Sequence, residues 1–188
     1  LINMYTGWTF FTFGDVESPL YKSDIQPNGA LKNQEAQLIA SFAKGDRTGF
    51  YKYLAVGGGT VSLFSDPANP PTAKSIIENE LDFQENPKLY SEFFRTPLSS
   101  TRFIDPDIAG DNQFVDFNTG VVEFIWTISS NQALGTWKEL GIFAGEATEI
   151  PSSGTLVHYQ TLQDFNKVPS FLFEENMNWH WAIDFRKR

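Results

Sequence analysis

The sequence contains no cysteine, so it forms neither disulfide bonds nor thiolate metal sites. This composition suits a reducing compartment. Basic residues are outnumbered: 14 Lys and Arg stand against 23 Asp and Glu, which gives a formal net charge of −9. A protein with this charge repels a phosphate backbone, so we do not expect nucleic acid as a partner.

Long apolar runs are also lacking. No run approaches the length that spans a bilayer. The N-terminal residues do not show the basic region, apolar region and cleavage pattern of a signal peptide. We therefore expect no insertion into a membrane.

Residues and motifs typical of catalysis are scarce. The only histidines are His158 and His180, and neither HExxH nor GxSxG occurs. His180 lies between two tryptophans but on the opposite face of a predicted strand, where we expect a surface or interface histidine. We therefore predict that the protein is not an enzyme and needs no cofactor.

Four aspartates that lie close together in the sequence are the candidate cation ligands: Asp105, Asp107, Asp111 and Asp116. The calcium loop pattern, with its glycine and distal glutamate, is not met. We therefore expect a solvated acidic loop and no bound metal.

Aromatic residues are abundant, with 18 Phe, 6 Tyr and 5 Trp in 188 residues. Good helix formers are sparse by comparison, which favours strands. The length suits one domain, or one domain with an arm. We predict a mainly β protein: an antiparallel β-sandwich-like domain with one or two short helices.

The centre of the chain, residues 121–143, carries the strongest strand pattern. Residues 121–128 are almost continuously apolar, and after a turn-rich connection a second run places Trp137, Glu139, Gly141 and Phe143 on one face. We predict a long-looped hairpin. Gly141 indicates either a bulge or close contact with a neighbouring side chain. Glu139 lies among apolar residues, so we expect it to be paired or to lie at the solvent end of the strand.

Two helices are predicted from the change of period. Residues 30–44 place Leu31, Gln34, Leu38, Ile39 and Phe42 on one face, with Gly45 just past the end. Residues 73–81 are a shorter candidate. Between them, Gly57, Gly58 and Gly59 follow a predicted strand. No phosphate-loop motif is complete there, so a sharp turn is favoured over a phosphate site.

The remaining apolar runs predict further short strands at residues 50–56, 89–95, 101–108, 113–117, 155–159, 170–173 and 178–185. In the last of these, Trp179, Trp181, Ile183 and Phe185 alternate, so the strand is expected to bury one full face. Glu92 and Arg95 have the spacing of an ion pair. An exposed pair of this kind contributes about 0 to 1 kcal/mol.

The first residues form an aromatic segment ahead of a polar, proline-containing stretch. We predict that residues 1–27 are an arm and linker, and that residues 28–188 are the β-rich module. The arm is expected to dock on a neighbouring chain rather than on its own module. The candidate interface residues are Tyr5, Trp8, Phe10, Phe11 and Phe13.

Six short motifs follow one another along the chain: residues 38–45, the strand and glycine turn at 51–60, the acidic-x-x-arginine stretch at 92–95, the E-x-G-[LI]-F strand at 137–143, residues 154–167 and the closing W-x-W strand at 179–185. Taken in this order, they resemble the motifs of a family of bacteriophage tail proteins. The resemblance covers about residues 28–185. The chain differs from the family pattern in an insertion at 64–87, in its three consecutive glycines and in its aromatic N-terminal segment.

The resemblance implies a structural protein of the virion tail, located at a fibre, the collar or the baseplate periphery. Such a module joins the tail machinery to fibres or forms a fibre base. Its partners are then other virion proteins and copies of itself, with a trimer favoured.

Two alternatives have the same composition. One is a head-decoration protein, and the other is a carbohydrate-binding β-sandwich that recognises a host-surface glycan. Sugar binding predicts exposed coplanar aromatic residues on one sheet face or at loop tips. Assembly predicts aromatic residues in the N-terminal segment and at strand edges.

Overall fold

The computed structural model describes residues 6–17, 19–23, 26–27, 31–46, 50–66, 68–105, 113–167 and 176–186. Within these ranges the chain is mainly antiparallel β, and its strands form two sheets. The predicted mainly β, sandwich-like class is confirmed. The described residues form three helices where one or two were expected. Tyr5 and the strand predicted at 170–173 lie outside the described residues.

The strands are β1 (Thr6–Gly14), β2 (Pro19–Lys22), β3 (Gln26–Pro27), β4 (Tyr51–Gly57), β5 (Glu92–Pro97), β6 (Ser100–Asp105), β7 (Gln113–Val115), β8 (Val121–Ile128), β9 (Gly135–Ala144), β10 (Thr155–Lys167) and β11 (Met177–Asp184). The helices are α1 (Lys32–Ala43), α2 (Ala73–Asn79) and α3 (Leu81–Glu85).

The chain divides into two compact units, each of which contains one sheet. The first unit comprises Leu1–Asn28, Leu98–Ser130 and Ser170–Arg188, and the second comprises Gly29–Pro97 and Asn131–Pro169. The predicted division into an arm (residues 1–27) and a module (residues 28–188) therefore differs from the division into these two units.

The first sheet has the order β2-β1-β11-β8-β6-β7, and β3 also pairs with β1. Its centre is β11, which is buried along its whole length. The strand was expected to bury one full face, and it buries both. The second face carries polar side chains, such as Asn178 and His180, whose hydrogen-bond partners lie on β1 and β8.

The N-terminal segment belongs to this first sheet. Strand β1 pairs with β11 from Thr6 opposite Asp184 to Phe13 opposite Met177. The segment expected to be a linker supplies β2 and β3, which also pair with β1. The described part of residues 1–27 is therefore sheet and not a separate arm, because a run of aromatic and threonine residues supplies a full strand partner for β11.

The second sheet has the order β10-β9-β4-β5, and the helices belong to the same unit. One hydrophobic cluster of this unit comprises Leu31, Ala55, Ile76, Phe83, Leu89, Phe143, Ala147, Leu156 and Tyr159. The prediction of a helix ending before Gly45 is confirmed: α1 ends at Ala43, and Gly45 has a φ of 104°. Helix α2 begins with a capping box between Thr72 and Ser75.

The predicted central hairpin is wrong in its pairing, although both of its strands are present. Strand β8 pairs with β11 and β6 in the first sheet, whereas β9 pairs with β10 and β4 in the second. Each strand therefore already has two neighbours. Residues 129–134 connect one sheet to the other rather than forming the turn of a hairpin.

Candidate functional site

Exposed aromatic side chains lie on three strands at the edges of the sheets. Tyr21 on β2, Phe93 on β5 and Phe114 on β7 are 44%, 45% and 51% exposed. Strands β2 and β7 end the order of the first sheet, and β5 ends that of the second. An edge strand has backbone donors and acceptors free on one side, and a half-exposed ring beside them is typical of a surface that meets another chain.

The sequence placed the interface candidates elsewhere, at Tyr5, Trp8, Phe10, Phe11 and Phe13. Of the four that the structure describes, Phe10 and Phe13 are only 5% and 3% exposed, while Trp8 and Phe11 are half-buried. Phe10 stacks on His180 with ring centroids 4.4 Å apart. Phe10 and Phe13 therefore offer little surface to a partner.

Tyr21 is the exposed aromatic residue of this region. Its ring lies 6.0 Å from that of Phe11 and 6.1 Å from that of Phe13. Sequence reasoning missed Tyr21 because it assigned the polar, proline-containing stretch of residues 1–27 to a linker. The run Pro-Leu-Tyr-Lys was too short to stand out as a strand.

A buried polar network crosses the first sheet on one face of β1, β11, β8 and β6. The Nδ1 of His180 lies 3.2 Å from Oε1 of Glu123, and its Nε2 lies 3.0 Å from Oγ1 of Thr12. Arg102 donates from Nε to Oε2 of Glu123 at 2.5 Å and from Nη1 to Oε1 of Glu17 at 2.6 Å. His180 was expected at a surface or an interface. That prediction is wrong, because His180 is 1% exposed.

The electrostatics of this network centre on Glu123. Burial alone raises the pKa of a carboxyl group, but hydrogen bonds and charge from His180 and Arg102 hold the pKa of Glu123 below its ordinary value. The order hydroxyl, imidazole, carboxylate resembles a hydrolytic triad. However, Thr12 is only 2% exposed, so no substrate reaches its hydroxyl group. The network therefore acts within the protein, holding four strands together.

The second sheet also buries a glutamate, Glu139 on β9. The backbone N–H groups of Gly59 and Ser91 donate to its Oε1 at 3.2 and 2.9 Å, and the Tyr159 hydroxyl group donates to its Oε2 at 3.1 Å. Burial raises the pKa of Glu139, because these donors are neutral and only partly offset the loss of water. Glu139 is fully buried, so it does not lie at the solvent end of its strand.

Glu139 also explains the glycines that end β4. A Cβ atom on Gly57 would lie 2.5 Å from Oε1 of Glu139 and 2.9 Å from the Ser91 carbonyl oxygen, so only glycine allows this close approach. Gly59 has a φ of 66° and uses its N–H group on the same carboxylate. These contacts favour the interpretation of the glycine run as a turn rather than as a phosphate loop.

Gly141 is explained by a neighbouring side chain and not by a bulge. A Cβ atom there would lie 2.5 Å from Cδ1 of Leu156 and 3.1 Å from Cδ2 of Leu89. The pairing of Gly141 with Ala55 and Tyr159 is regular. The other motif residues, Trp137, Phe143, Trp179 and Trp181, are all buried, which gives them a structural role.

The ion pair predicted between Glu92 and Arg95 is present, but it is buried rather than exposed. Its two hydrogen bonds are 2.6 and 2.9 Å long, and the side chains are 2% and 4% exposed. Arg95 also donates to the carbonyl oxygen of Thr148 and to Ser153, while the Ser152 N–H group donates to Glu92. The pair therefore fixes the turn between β9 and β10.

A groove of about 470 Å³ lies in the second unit, where α1 meets the ends of β9 and β10. Its lining residues are Gln34, Gln37, Leu38, Ser41, Phe42, Asp46, Phe50, Gly145, Glu146, Gly154 and Thr155. Phe42 is 50% exposed, although the helical pattern placed it on the same face as Leu31, which is buried. The rings of Phe42 and Phe50 are 5.6 Å apart and inclined by 53°, so they form a corner rather than the coplanar platform expected of a sugar-binding sheet.

The described ranges contain neither a candidate metal cluster nor a candidate membrane-spanning helix. Among those residues, no group of three or more His, Asp and Glu side chains is placed to hold a metal ion. Asp107 and Asp111 of the predicted acidic loop lie outside them. None of the described helices is both long and apolar enough to cross a membrane.

Comparison with known proteins gives no match: no family model fits the sequence, and neither a curated protein nor a solved structure is significantly similar to it.

Proposed function

We propose that this chain is a structural protein of a bacteriophage tail, at a fibre, the collar or the baseplate periphery, and that it acts by assembly rather than by catalysis. It joins the tail machinery to fibres or forms a fibre base, as a homo-oligomer for which a trimer is favoured. The order of short sequence motifs suggests the location. The placement of the exposed aromatic residues supports assembly.

The observation that carries this proposal is the position of Tyr21, Phe93 and Phe114 on strands at the ends of the two sheet orders. Assembly predicts aromatic residues at strand edges, whereas a sugar platform predicts coplanar rings on a sheet face. Aromatic anchors contribute a large share of the binding energy at interfaces. An edge strand adds backbone hydrogen bonds to a partner strand.

The polar groups of the interior agree with a non-catalytic role. Glu123 and Glu139 are fully buried, and both are used in hydrogen bonds within their own units. The side chains of Glu92 and Arg95 are equally enclosed. Each of these networks stabilises a sheet or a turn and leaves its reactive atoms out of reach of a substrate.

The test is the association of edge-strand variants. Phe93→Ser and Phe114→Ser are expected to weaken self-association, or binding to the neighbouring tail protein, by about 30-fold, the equivalent of about 2 kcal/mol for an interfacial anchor. Molar mass against concentration, measured by light scattering after size exclusion, gives the first readout. Incorporation of each variant into particles gives the second.

Leu81→Ser is the matched control, because Leu81 is 71% exposed but begins a short helix instead of lying on an edge strand. It is expected to assemble normally. Thermal melting of each variant verifies that it is folded. Folded edge-strand variants that associate and incorporate like the unmodified protein would contradict the proposal.

A further inference from the structure

The groove beside α1 has the size and position of a small-ligand site. Its volume of about 470 Å³ falls within the range of about 300 to 1,000 Å³ that is usual for ligand pockets. One wall is helix α1, and another is the turn that connects β9 to β10. The buried Glu92–Arg95 pair fixes that turn, so this wall is already in place before a ligand arrives.

The apolar part of the groove is a pair of phenylalanines. Phe42 on α1 is half-exposed, and its ring centroid lies 5.6 Å from that of Phe50. Leu31 and Glu35 of the same helix region are buried, at 5% and 2% exposed, so α1 is held to its unit without the Phe42 ring. Phe42 therefore has a ring face available for a ligand.

The polar part of the groove combines three chemical types. The Gln34 and Gln37 side chains are amides, which both donate and accept hydrogen bonds. Ser41 and Thr155 carry hydroxyl groups, and Asp46 and Glu146 carry carboxylates that accept. A ligand that satisfies this lining needs several groups that donate and accept hydrogen bonds, beside an apolar surface.

Charge narrows the class of ligand further. The described lining residues include two carboxylates and neither Lys nor Arg, so a phosphate or an acidic sugar would be repelled. A wholly apolar ligand would leave the amides and hydroxyl groups without water or partner, which is costly. A neutral saccharide meets both conditions, because its ring has an apolar C–H face and a rim of hydroxyl groups.

We propose that this groove binds a neutral saccharide, with one sugar ring packed against Phe42 and its hydroxyl groups bonded by Gln34, Gln37 and the adjoining carboxylates. The inclined rings of Phe42 and Phe50 form a corner, which suits a single terminal residue better than the side of a long chain. The walls of this site all belong to the second unit. Its chemistry follows from those lining residues and not from the tail location proposed above.

The experiment is an NMR titration of the isotope-labelled protein. The neutral probes are glucose, galactose, mannose, N-acetylglucosamine and their disaccharides, and N-acetylneuraminic acid is the anionic probe. At least one neutral probe is expected to give saturable shifts in residues 34–46. The anionic probe is expected to give none.

Variants separate a specific site from weak general binding. Phe42→Ala is expected to weaken the affinity about tenfold through lost stacking, and Gln37→Ala about fivefold through one lost hydrogen bond. Phe117→Ala is the matched control, because Phe117 is also exposed, at 61%, but lies in the other unit, and it is expected to leave the affinity unchanged. Melting curves verify the fold of each variant.

Three results would overturn the inference. They are the absence of saturable shifts with every neutral probe, binding of the anionic probe alone, and binding that Phe42→Ala leaves intact. None of these results bears on the assembly of the edge-strand variants, so the two proposals fail separately.

Discussion

Each unit contains a glutamate that is fully buried, Glu123 in the first and Glu139 in the second, but the surroundings of the two carboxyl groups shift their pKa values in opposite directions. In the first unit Glu123 lies between His180 and Arg102, and its pKa is lowered. In the second unit Glu139 receives hydrogen bonds from backbone N–H groups and a tyrosine hydroxyl group, and its pKa is raised. Burial is the same for both carboxyl groups, so the charge of the neighbours decides the sign of the shift.

The comparison predicts that the first unit depends on its buried charge and that the second depends more on close packing. A buried charge is stabilising only while its partner remains, because the loss of one member leaves the other without compensation. Neutral hydrogen-bond donors, such as those around Glu139, can bond a neutral acceptor as well as a charged one. The predictions below test this difference, beginning with the largest expected effect.

Glu123→Gln is expected to lower the free energy of unfolding by about 3 to 5 kcal/mol, because Arg102 loses its buried counter-charge and His180 loses a carboxylate hydrogen-bond partner. Urea denaturation at neutral pH measures the change. Glu17→Gln is the control: it removes the other carboxylate on Arg102, but this one is 67% exposed, so a loss of about 1 kcal/mol or less is expected. Equal losses for the two variants would contradict the account.

Gly141→Val is expected to lower the free energy of unfolding by about 1 to 3 kcal/mol, because the added side chain meets Leu156 and Leu89. Thermal melting detects the loss. Gly58→Ala adds a Cβ atom whose nearest neighbour, the Ser91 hydroxyl oxygen, is 3.9 Å away, so it controls for the loss of a glycine without crowding. A Gly141→Val protein that melts at the unmodified temperature would show that packing around β9 is loose.

Glu139→Gln is expected to change the free energy of unfolding by about 1 kcal/mol or less at neutral pH, since the glutamine carbonyl accepts from Gly59 and Ser91 as the carboxylate does. The urea experiment used for Glu123→Gln applies without change. A loss as large as that of Glu123→Gln would remove the distinction between the two units.

The loss of unfolding free energy caused by Glu123→Gln and the loss caused by Glu139→Gln are expected to change with pH in opposite directions. For Glu123 the folded pKa lies below the ordinary value of 4.5, so its stabilisation is present above pH 4.5 and is lost as the pH falls through the folded pKa. The cost of Glu123→Gln is therefore expected to shrink in acid.

For Glu139 the folded pKa lies above 4.5, so its stabilisation is present below pH 4.5 and is lost as the pH rises through the raised value. The cost of Glu139→Gln is expected to be largest in acid and smallest at neutral pH. Urea denaturation of both variants over an acid-to-neutral series gives the two trends. Parallel trends would mean that the neighbouring groups do not determine whether the pKa of each buried carboxyl group is raised or lowered.

The sequence pattern predicted strands and helices well where the residues of a single segment determine the structure. Strand β8 covers the predicted residues 121–128, and α1 ends before Gly45 as its spacing indicated. The unusual position of Glu139 was also visible in the sequence, because a charged side chain in an apolar run needs a polar partner or water. The compensating donors were not visible, because backbone N–H groups carry no signature in a sequence.

Pairing and burial between distant segments were not predictable in the same way. An apolar strand does not specify its neighbour, so β8 and β9 were expected to pair although they belong to different sheets. His180 reaches Glu123 and Thr12 across large sequence separations, and its polar character indicated exposure. The exposed rings on β2, β5 and β7 became candidates only after the strand order placed them at sheet edges.

The proposed assembly role is tested most directly by cryo-electron microscopy of intact particles from the source of this chain, with the chain built into the map. The account predicts density at the tail tip, the collar or a fibre base, with Phe93 and Phe114 buried against neighbouring chains. Density on the head would contradict the tail location and make this a decoration protein. Absence of the chain from the particles would contradict the structural role itself.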